Sequence, residues 1–204
     1  DKEVISPGTV IISAAANCND INNIIEPVLI NNNDSIYYIN LSKDNFNLGG
    51  SALAQTLGYI GNHSSDINDS KYFKKAFEIF QNLIKKGLIS SGHDISSGGL
   101  ITSLLEMCFP ETNIGAKIDL SFSKESDIIK LLFNENIGLI FQGKKEIESI
   151  LESKNIFFSK IGKVNTSGVL KISKNDIDYE FKISEYRDIW YKTSYLLDIH
   201  QSGE

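Results

Sequence analysis

The alternation of short β-branched runs with segments of helical spacing is the feature that most restricts the fold. From Ser70 to Gly87, apolar side chains recur every three or four residues, which predicts an amphipathic helix with Ser70 as its cap. The continuous apolar run at 35–41 instead predicts a strand that is covered on both faces. Because such strands and helices alternate along the chain, we predict a domain of mixed α and β structure.

The remaining segments extend this pattern over the whole chain. Further strands are predicted at 9–16, 88–92, 116–120, 138–142, 157–164, 169–172 and 179–183, and further helices at 98–108, 125–133, 145–153 and 186–197. In the last helix, the side chains expected to face the core are Ile189, Trp190, Thr193, Leu196 and Leu197, with Tyr191 and Tyr195 packed beside them. We therefore predict one domain over 1–204, with its core at about 8–183 and a C-terminal helix at 184–200.

Charge and hydropathy exclude two classes of partner. The net charge of -6 comes without a basic stripe, which argues against nucleic acid and against an anionic membrane surface. No apolar run approaches the roughly 18 to 20 residues that span a bilayer, and the start Asp1-Lys-Glu3 is unlike a signal peptide. We therefore expect a cytoplasmic protein.

The segment 1–8 resembles the interior of a longer chain, so we expect the sequence to be an excised piece.

The residues that commonly act as nucleophiles or bases give no catalytic assignment. Cys18 and Cys108 are isolated, which predicts buried free thiols rather than a zinc site or a disulfide. Neither cysteine resembles the nucleophile of a glutaminase. A hydrogen-bonded structural role is favoured for His93, and Glu106 is expected to lie away from the site discussed next.

The most informative polar stretch is His93-Asp-Ile-Ser-Ser-Gly-Gly99, in which a carboxylate and two hydroxyls precede a glycine pair at the start of a helix. Free amides and the helix dipole favour a phosphate there, and Mg²⁺ usually takes only one or two protein carboxylates. This interpretation makes Asp94 a magnesium ligand and Ser96 a donor to phosphate. In the alternative, Asp94 or Ser96 caps the helix and Gly98-Gly99 only allow tight packing. The spacing alone does not separate the two interpretations.

A second glycine pair, Gly49-Gly50, precedes Ser51 and a further predicted helix. Ser51 is a candidate for a helix cap or for a phosphate ligand, and the two glycines are candidates for nucleotide contacts. Neither glycine stretch fits the Walker pattern or the dinucleotide-binding pattern. The sequence therefore predicts no ordinary P-loop or Rossmann site.

Six segments occur in the order found in the large, single-chain form of phosphoribosylformylglycinamidine synthase, a glutamine amidotransferase ligase of purine biosynthesis. The chain resembles the second of its two AIR-synthase-type C-terminal domains, which precedes the glutaminase domain. The segments are Pro7-Gly-Thr-Val-Ile-Ile-Ser-Ala14, Leu48-Gly-Gly-Ser-Ala-Leu-Ala-Gln55, His93-Asp-Ile-Ser-Ser-Gly-Gly-Leu100, Leu105-Glu-Met107, Leu132-Phe-Asn-Glu135 and Arg187-Asp-Ile-Trp-Tyr-Lys-Thr-Ser194.

The resemblance implies an α+β fold of three α/β/α layers with a mixed sheet and a partial likeness to the ferredoxin-like fold. It implies that ATP activates an amide oxygen of formylglycinamide ribonucleotide and that ammonia from glutamine displaces phosphate. In this family one half of the enzyme holds the working site, and the other holds a nucleotide with magnesium. Asp94 matches a metal ligand and Ser96 a nucleotide contact, whereas Ser97 stands where the family often has Asp.

Three hypotheses about function follow. In the first, the chain is silent alone and contributes half of a Mg²⁺ and ATP or ADP site, with the other ligands supplied by the preceding ATP-binding-type domain. In the second, it is a stand-alone ligand-sensing or assembly module that uses its sheet and the 48–55 loop. In the third, it is a self-sufficient kinase-like enzyme.

Overall fold

A single mixed sheet forms the centre of the computed structural model, which describes residues 11–18 and 20–203. Its strands are β1 (Ser35–Asn40), β2 (Ile89–Asp94), β3 (Gly115–Asp119), β4 (Gly138–Gly143), β5 (Ser159–Asn165), β6 (Val169–Lys174) and β7 (Ile177–Lys182). They lie in the order β2-β4-β1-β5-β3-β6-β7. Neighbours are antiparallel except β3 and β6, which are parallel. The predicted mixed sheet is confirmed.

Helices cover both faces of this sheet. They are α1 (Ala52–Thr56), α2 (Ser70–Lys85), α3 (Gly99–Glu106), α4 (Ile128–Phe133), α5 (Glu146–Ser153) and α6 (Ile183–Ser202). Side chains alternate across β1, so Tyr37 and Ile39 pack with α2 and α5, whereas Ile36 and Tyr38 pack with α3, α4 and the first residue of α6. The result is the three-layer α/β/α arrangement of an α+β domain, as the resemblance implies.

Two helix starts differ from the prediction because an aspartate supplies the cap. Asp69, rather than Ser70, caps α2, and its side chain accepts a hydrogen bond from the amide of Tyr72. Asp127 caps α4 in the same way, so this helix begins three residues later than predicted. An Asx cap accepts from an amide two or three residues further on, and this fixes the first residue of the helix.

The strand predicted at 9–16 is wrong in its described part. Residues 11–16 form no strand, and the side chains of Ile11 and Ile12 are 87% and 85% exposed. Positions 9 and 10 lie outside the described residues. A β-branched run becomes a strand only where a neighbouring strand pairs with it, and none of the seven strands does so here.

The prediction that α6 turns its apolar side chains inward is also wrong. Within α6 only Ile183 is buried, whereas Ile189 and Trp190 are 68% and 57% exposed. Thr193, Leu196, Leu197, Tyr191 and Tyr195 are exposed as well. Helical periodicity predicts an apolar face, but it does not tell which molecule covers that face.

The two cysteines lie in different environments. Cys108 is buried, as predicted, and burial raises the pKa of its thiol to about 12. Cys18 is exposed, so the prediction of a buried thiol is wrong at that position. Among the helices of the described ranges, none combines the length and the apolar character that crossing a bilayer requires.

Candidate functional site

The loops that carry both glycine pairs meet at one edge of the sheet. β1 and β2 each pair with β4 in antiparallel fashion, so both strands end at the edge where β4 begins. Asn40 pairs with Gly138 at this edge, and Asp94 pairs with Leu139. We call it the site edge. The stretch around Asp94 and the loop that follows β1 are therefore neighbours, although they are about fifty residues apart in the sequence.

Asp94 is the last residue of β2, and its side chain projects from the site edge into solvent. This side chain is 70% exposed. The neighbouring imidazole of His93 places Nδ1 2.6 Å from the backbone oxygen of Asp94, and its Nε2 lies 3.6 Å from Glu106 Oε2. His93 thus has the predicted hydrogen-bonded role. Glu106 lies closer to this site than predicted, since His93 is placed between the two carboxylates.

The loop from Ile95 to Gly98 is held in place while its hydroxyls remain exposed. Ile95 is buried, and its amide donates to the carbonyl of Gly138 at 2.9 Å. Gly98, with a φ of 85°, is the cap residue of α3 and provides no side-chain hydrogen bond. Neither Asp94 nor Ser96 therefore caps α3 through its side chain. The Ser96 hydroxyl is exposed and has no hydrogen-bond partner among the described residues.

Tight packing explains the glycine at the second position of this pair. A Cβ on Gly99 would lie 2.6 Å from the carbonyl oxygen of Asn134 and 2.7 Å from that of Leu132. The φ of Gly99 is 74°, which disfavours any other residue. A Cβ on Gly98 would clash with the side chain of Thr102. The packing interpretation, left open by the sequence, therefore accounts for both glycines.

The glycine pair after β1 also packs against its own loop. The amides of Gly49 and Gly50 donate to the carbonyls of His63 and Ile60 at 2.8 and 2.6 Å. Ser51 is 2% exposed and caps α1, accepting from the Ala54 amide at 3.2 Å. Because these groups are engaged within the domain, the geometry favours capping over phosphate contact for this stretch.

One carboxylate joins the two glycine loops, and the sequence assigned it no role. Glu135 Oε1 accepts from the amide of Ala52 at 2.7 Å and from the amide of Gly98 at 2.8 Å. Both amides lie at helix starts, where an anion is stabilised. The partners are 83 and 37 residues away, so no local pattern indicates them. These amides are consequently not free for a phosphate.

The described residues contain no group of three or more His, Cys, Asp and Glu side chains that could hold a metal ion. Asp94 therefore stands as a single exposed carboxylate. This arrangement suits Mg²⁺ only where phosphate oxygens, waters and other protein groups complete its octahedral shell.

Residues 33–175 match the family of AIR synthase related proteins, C-terminal domain. The chain is 37% identical over 206 residues to a probable phosphoribosylformylglycinamidine synthase, chloroplastic/mitochondrial, of Arabidopsis thaliana. This match spans 97% of this chain and 14% of the relative. It is 33% identical over 205 residues to the phosphoribosylformylglycinamidine synthase of Homo sapiens, and this match spans 96% of the chain and 15% of that relative. The chain thus spans about one seventh of the length of these relatives.

Solved structures with a similar fold have low sequence identity. T. maritima PurL complexed with FGAR has a TM-score of 0.64 and 15% identity over 81% of this chain and 29% of that protein. The hydrogenase maturation protein HypE in complex with ATP has a TM-score of 0.53 and 16% identity over 78% of this chain and 53% of that protein. At these identities the likeness concerns the fold alone. From the match over most of its length, the chain belongs to the family of AIR synthase related proteins, C-terminal domain.

Proposed function

We propose that this chain is the second AIR-synthase-type domain of a phosphoribosylformylglycinamidine synthase and contributes Asp94 and Ser96 to a site for ADP or ATP with Mg²⁺. The names of the relatives support the assignment to this enzyme. The chain spans only a small share of the relatives' length, which supports its being one part of a larger polypeptide. One observation supports the placement of the site at these two residues. Asp94, at the end of β2, and Ser96, in the loop that follows, are both exposed, and backbone hydrogen bonds at Ile95 and Gly98 hold this loop in place.

The two side chains have different tasks in this site. The exposed Asp94 carboxylate supplies one oxygen ligand, and the Ser96 hydroxyl donates to a phosphate oxygen. Bound Mg²⁺ neutralises phosphate charge. Because Glu135 occupies the amides of Ala52 and Gly98, the phosphate is held by side chains and by groups from the preceding domain rather than by these amides.

The chemical step belongs to other parts of the enzyme in this proposal. That step is the conversion of formylglycinamide ribonucleotide to its amidine, with ATP and with ammonia released from glutamine by the following glutaminase domain. Cys108 is buried with a raised thiol pKa, so it is unsuited to attack glutamine. The domain is therefore silent alone and contributes by positioning the nucleotide and its metal.

The exposed apolar side chains support burial against further domains. Ile189, Trp190, Leu196 and Leu197 form an apolar surface on α6, and Ile11 and Ile12 add a second at the start of the described chain. Surfaces of this kind mark interaction sites. We assign them to the adjoining domains of the synthase. We also propose that the synthase is cytoplasmic. The Arabidopsis relative, in contrast, is named as chloroplastic/mitochondrial.

Calorimetric titration of ADP into the complete synthase, with and without Mg²⁺, tests the site. We expect Asp94→Ala to weaken the Mg²⁺-dependent binding of ADP by about tenfold or more, because a metal ligand is lost. Asp34→Ala is the matched control, since Asp34 directly precedes β1 and lies at the opposite edge of the sheet. Unchanged affinity after Asp94→Ala would remove Asp94 from the site.

A further inference from the structure

The helices α2 and α5 cover only half of their face of the sheet. The buried cluster beneath them contains residues of β1, β2 and β4, and none of β3, β6 or β7. On the same face, the strands β5, β3, β6 and β7 carry mainly polar and charged side chains. We call this half of the face the open face. Its charged side chains are stable in water, so it exists without a covering layer.

Three lysines lie side by side across the open face. Lys117 on β3 is directly opposite Lys163 on β5 and Lys171 on β6. Because neighbouring strands are about 4.8 Å apart, the three side chains leave the sheet within about 9.6 Å of one another. We call these three residues the lysine row. Like charges directly opposite each other destabilise a sheet, so the row lowers the stability of the domain unless negative charge compensates it.

Negative charge compensates only one end of the lysine row. Lys171 Nζ lies 2.7 Å from Asp178 Oδ2 and 3.4 Å from Glu180 Oε1, both on β7. The hydrogen bond between Lys171 and Asp178 raises the pKa of the lysine and lowers that of the carboxyl. Lys117 and Lys163 are exposed and form no ion pair with any residue that the structure describes. These two lysines therefore lack the carboxylates that β7 provides for the third.

A groove beside the row makes the two lysines accessible. Its volume is about 440 Å³, and its lining consists of Lys117, Asp119, Lys160, Ile161, Gly162 and Lys163. The other charged groups of the groove are already engaged. Lys160 Nζ lies 3.5 Å from Glu148 Oε1 on α5, and the Asp119 carboxylate accepts from the amide of Ser121 at 2.9 Å. The charges that remain available to a ligand are those of Lys117 and Lys163, so this ligand is an anion.

The open face fits the carboxylates of a polypeptide better than a nucleic acid. The lysine row contains no aromatic ring on which a base stacks, and the net charge of the chain, -6, opposes the approach of a long polyanion. Side chains four residues apart on a helix have Cβ atoms about 5–6 Å apart, which is close to the spacing of neighbouring strands. Two glutamates at this spacing therefore reach Lys117 and Lys163 together.

The charged character of the open face also indicates a reversible contact. Permanent interfaces are mostly apolar, whereas complementary charges mainly increase the rate and the specificity of association. We infer that the lysine row binds an acidic helix of a separate partner protein, whose carboxylates pair with Lys117 and Lys163. This inference does not depend on the proposed nucleotide site. Lys163 pairs with Ser35, the first residue of β1, whereas the site edge lies at the other end of that strand.

An alanine-based helical peptide with Glu at every fourth position is the probe for this surface. In an NMR titration of the 204-residue chain at low salt, we expect the peptide to shift the side-chain signals of Lys117 and Lys163 most. The double variant Lys117→Gln/Lys163→Gln is expected to weaken binding about tenfold. Lys85→Gln/Lys86→Gln is the matched control, since it removes the same charge from two exposed lysines at the end of α2. We expect this control to change the affinity by less than about twofold.

Thermal unfolding of the same variants distinguishes a binding role from a structural one. Without the peptide, Lys117→Gln/Lys163→Gln is expected to raise the midpoint of unfolding by about 1–3 °C, because the repulsion across β3 and β5 is relieved. A gain in stability together with a loss of peptide affinity is the expected result. A lower midpoint overturns the inference, because the lysines would then stabilise the sheet itself.

Four binding results would also overturn the inference. Equal weakening in the two double variants shows an unspecific charge effect, and equal binding of a peptide with Gln in place of Glu shows that carboxylates are not required. Tighter binding of oligothymidylate than of the acidic peptide assigns the row to nucleic acid. In the complete polypeptide, Lys117 and Lys163 are expected to react with an amine-modifying reagent as fast as Lys85. Slow reaction at both lysines shows that another part of the same polypeptide covers the row.

Discussion

Gly99→Ala is expected to destabilise the domain by about 4 kcal/mol or more, an effect that only a few kinds of single substitution produce. The added Cβ would lie within 2.7 Å of two carbonyl oxygens, those of Leu132 and Asn134. Both belong to backbone rather than to flexible side chains, so α3 has to separate from the end of α4 and the residue that follows it. The positive φ of 74° adds backbone strain to this steric conflict.

Gly87→Ala separates the two contributions. Gly87 follows α2 with a φ of 63°, and a Cβ there would meet no atom within 4 Å. Only the backbone strain applies, so we expect the free energy of unfolding to fall by about 1–2 kcal/mol. Urea unfolding of the two variants gives the free energies to compare. Equal losses in both would contradict the close packing of α3 against residues 132–134.

Glu135→Ala is expected to cost about 3 kcal/mol in unfolding free energy, because one truncation removes two charge-assisted hydrogen bonds. The amides of Ala52 and Gly98 both lose their acceptor. Since these amides belong to different loops, their hydrogen exchange is expected to accelerate together. Amide exchange followed by NMR measures each site separately, in addition to the global stability.

Glu135→Gln is the matched control for this substitution. The glutamine oxygen accepts from the same two amides without a charge, so a loss of about 1 kcal/mol and largely preserved protection are expected. If protection at Ala52 and Gly98 changed independently in Glu135→Ala, the carboxylate would not be the link between the glycine loops.

Features encoded by local patterns were predictable from the sequence. The three- and four-residue spacing over α2 and the apolar run of β1 correspond to elements whose bounds differ from the prediction by one or two residues. The order of strand, polar loop and helix around Asp94 was likewise recognisable. Such features depend on neighbouring residues, and the chain itself carries that information.

Features that depend on distant residues were not predictable in this way. Glu135 contacts two amides that are remote in sequence, so the amides expected to bind phosphate are already occupied. Trp190 on α6 and Ile11 are exposed although their local patterns predict buried positions.

The position of the metal in crystals of the proposed complete synthase shows whether Asp94 is a metal ligand. Mn²⁺ shares the preference of Mg²⁺ for octahedral oxygen ligands, and its anomalous scattering locates it in crystals grown with ADP. We expect a peak about 2.1 Å from a carboxylate oxygen of Asp94, with the nucleotide phosphates on the same ion. The assignment of Asp94 as a metal ligand would be contradicted by a nucleotide-bound ion that has a complete set of ligands while Asp94 lies outside coordination distance.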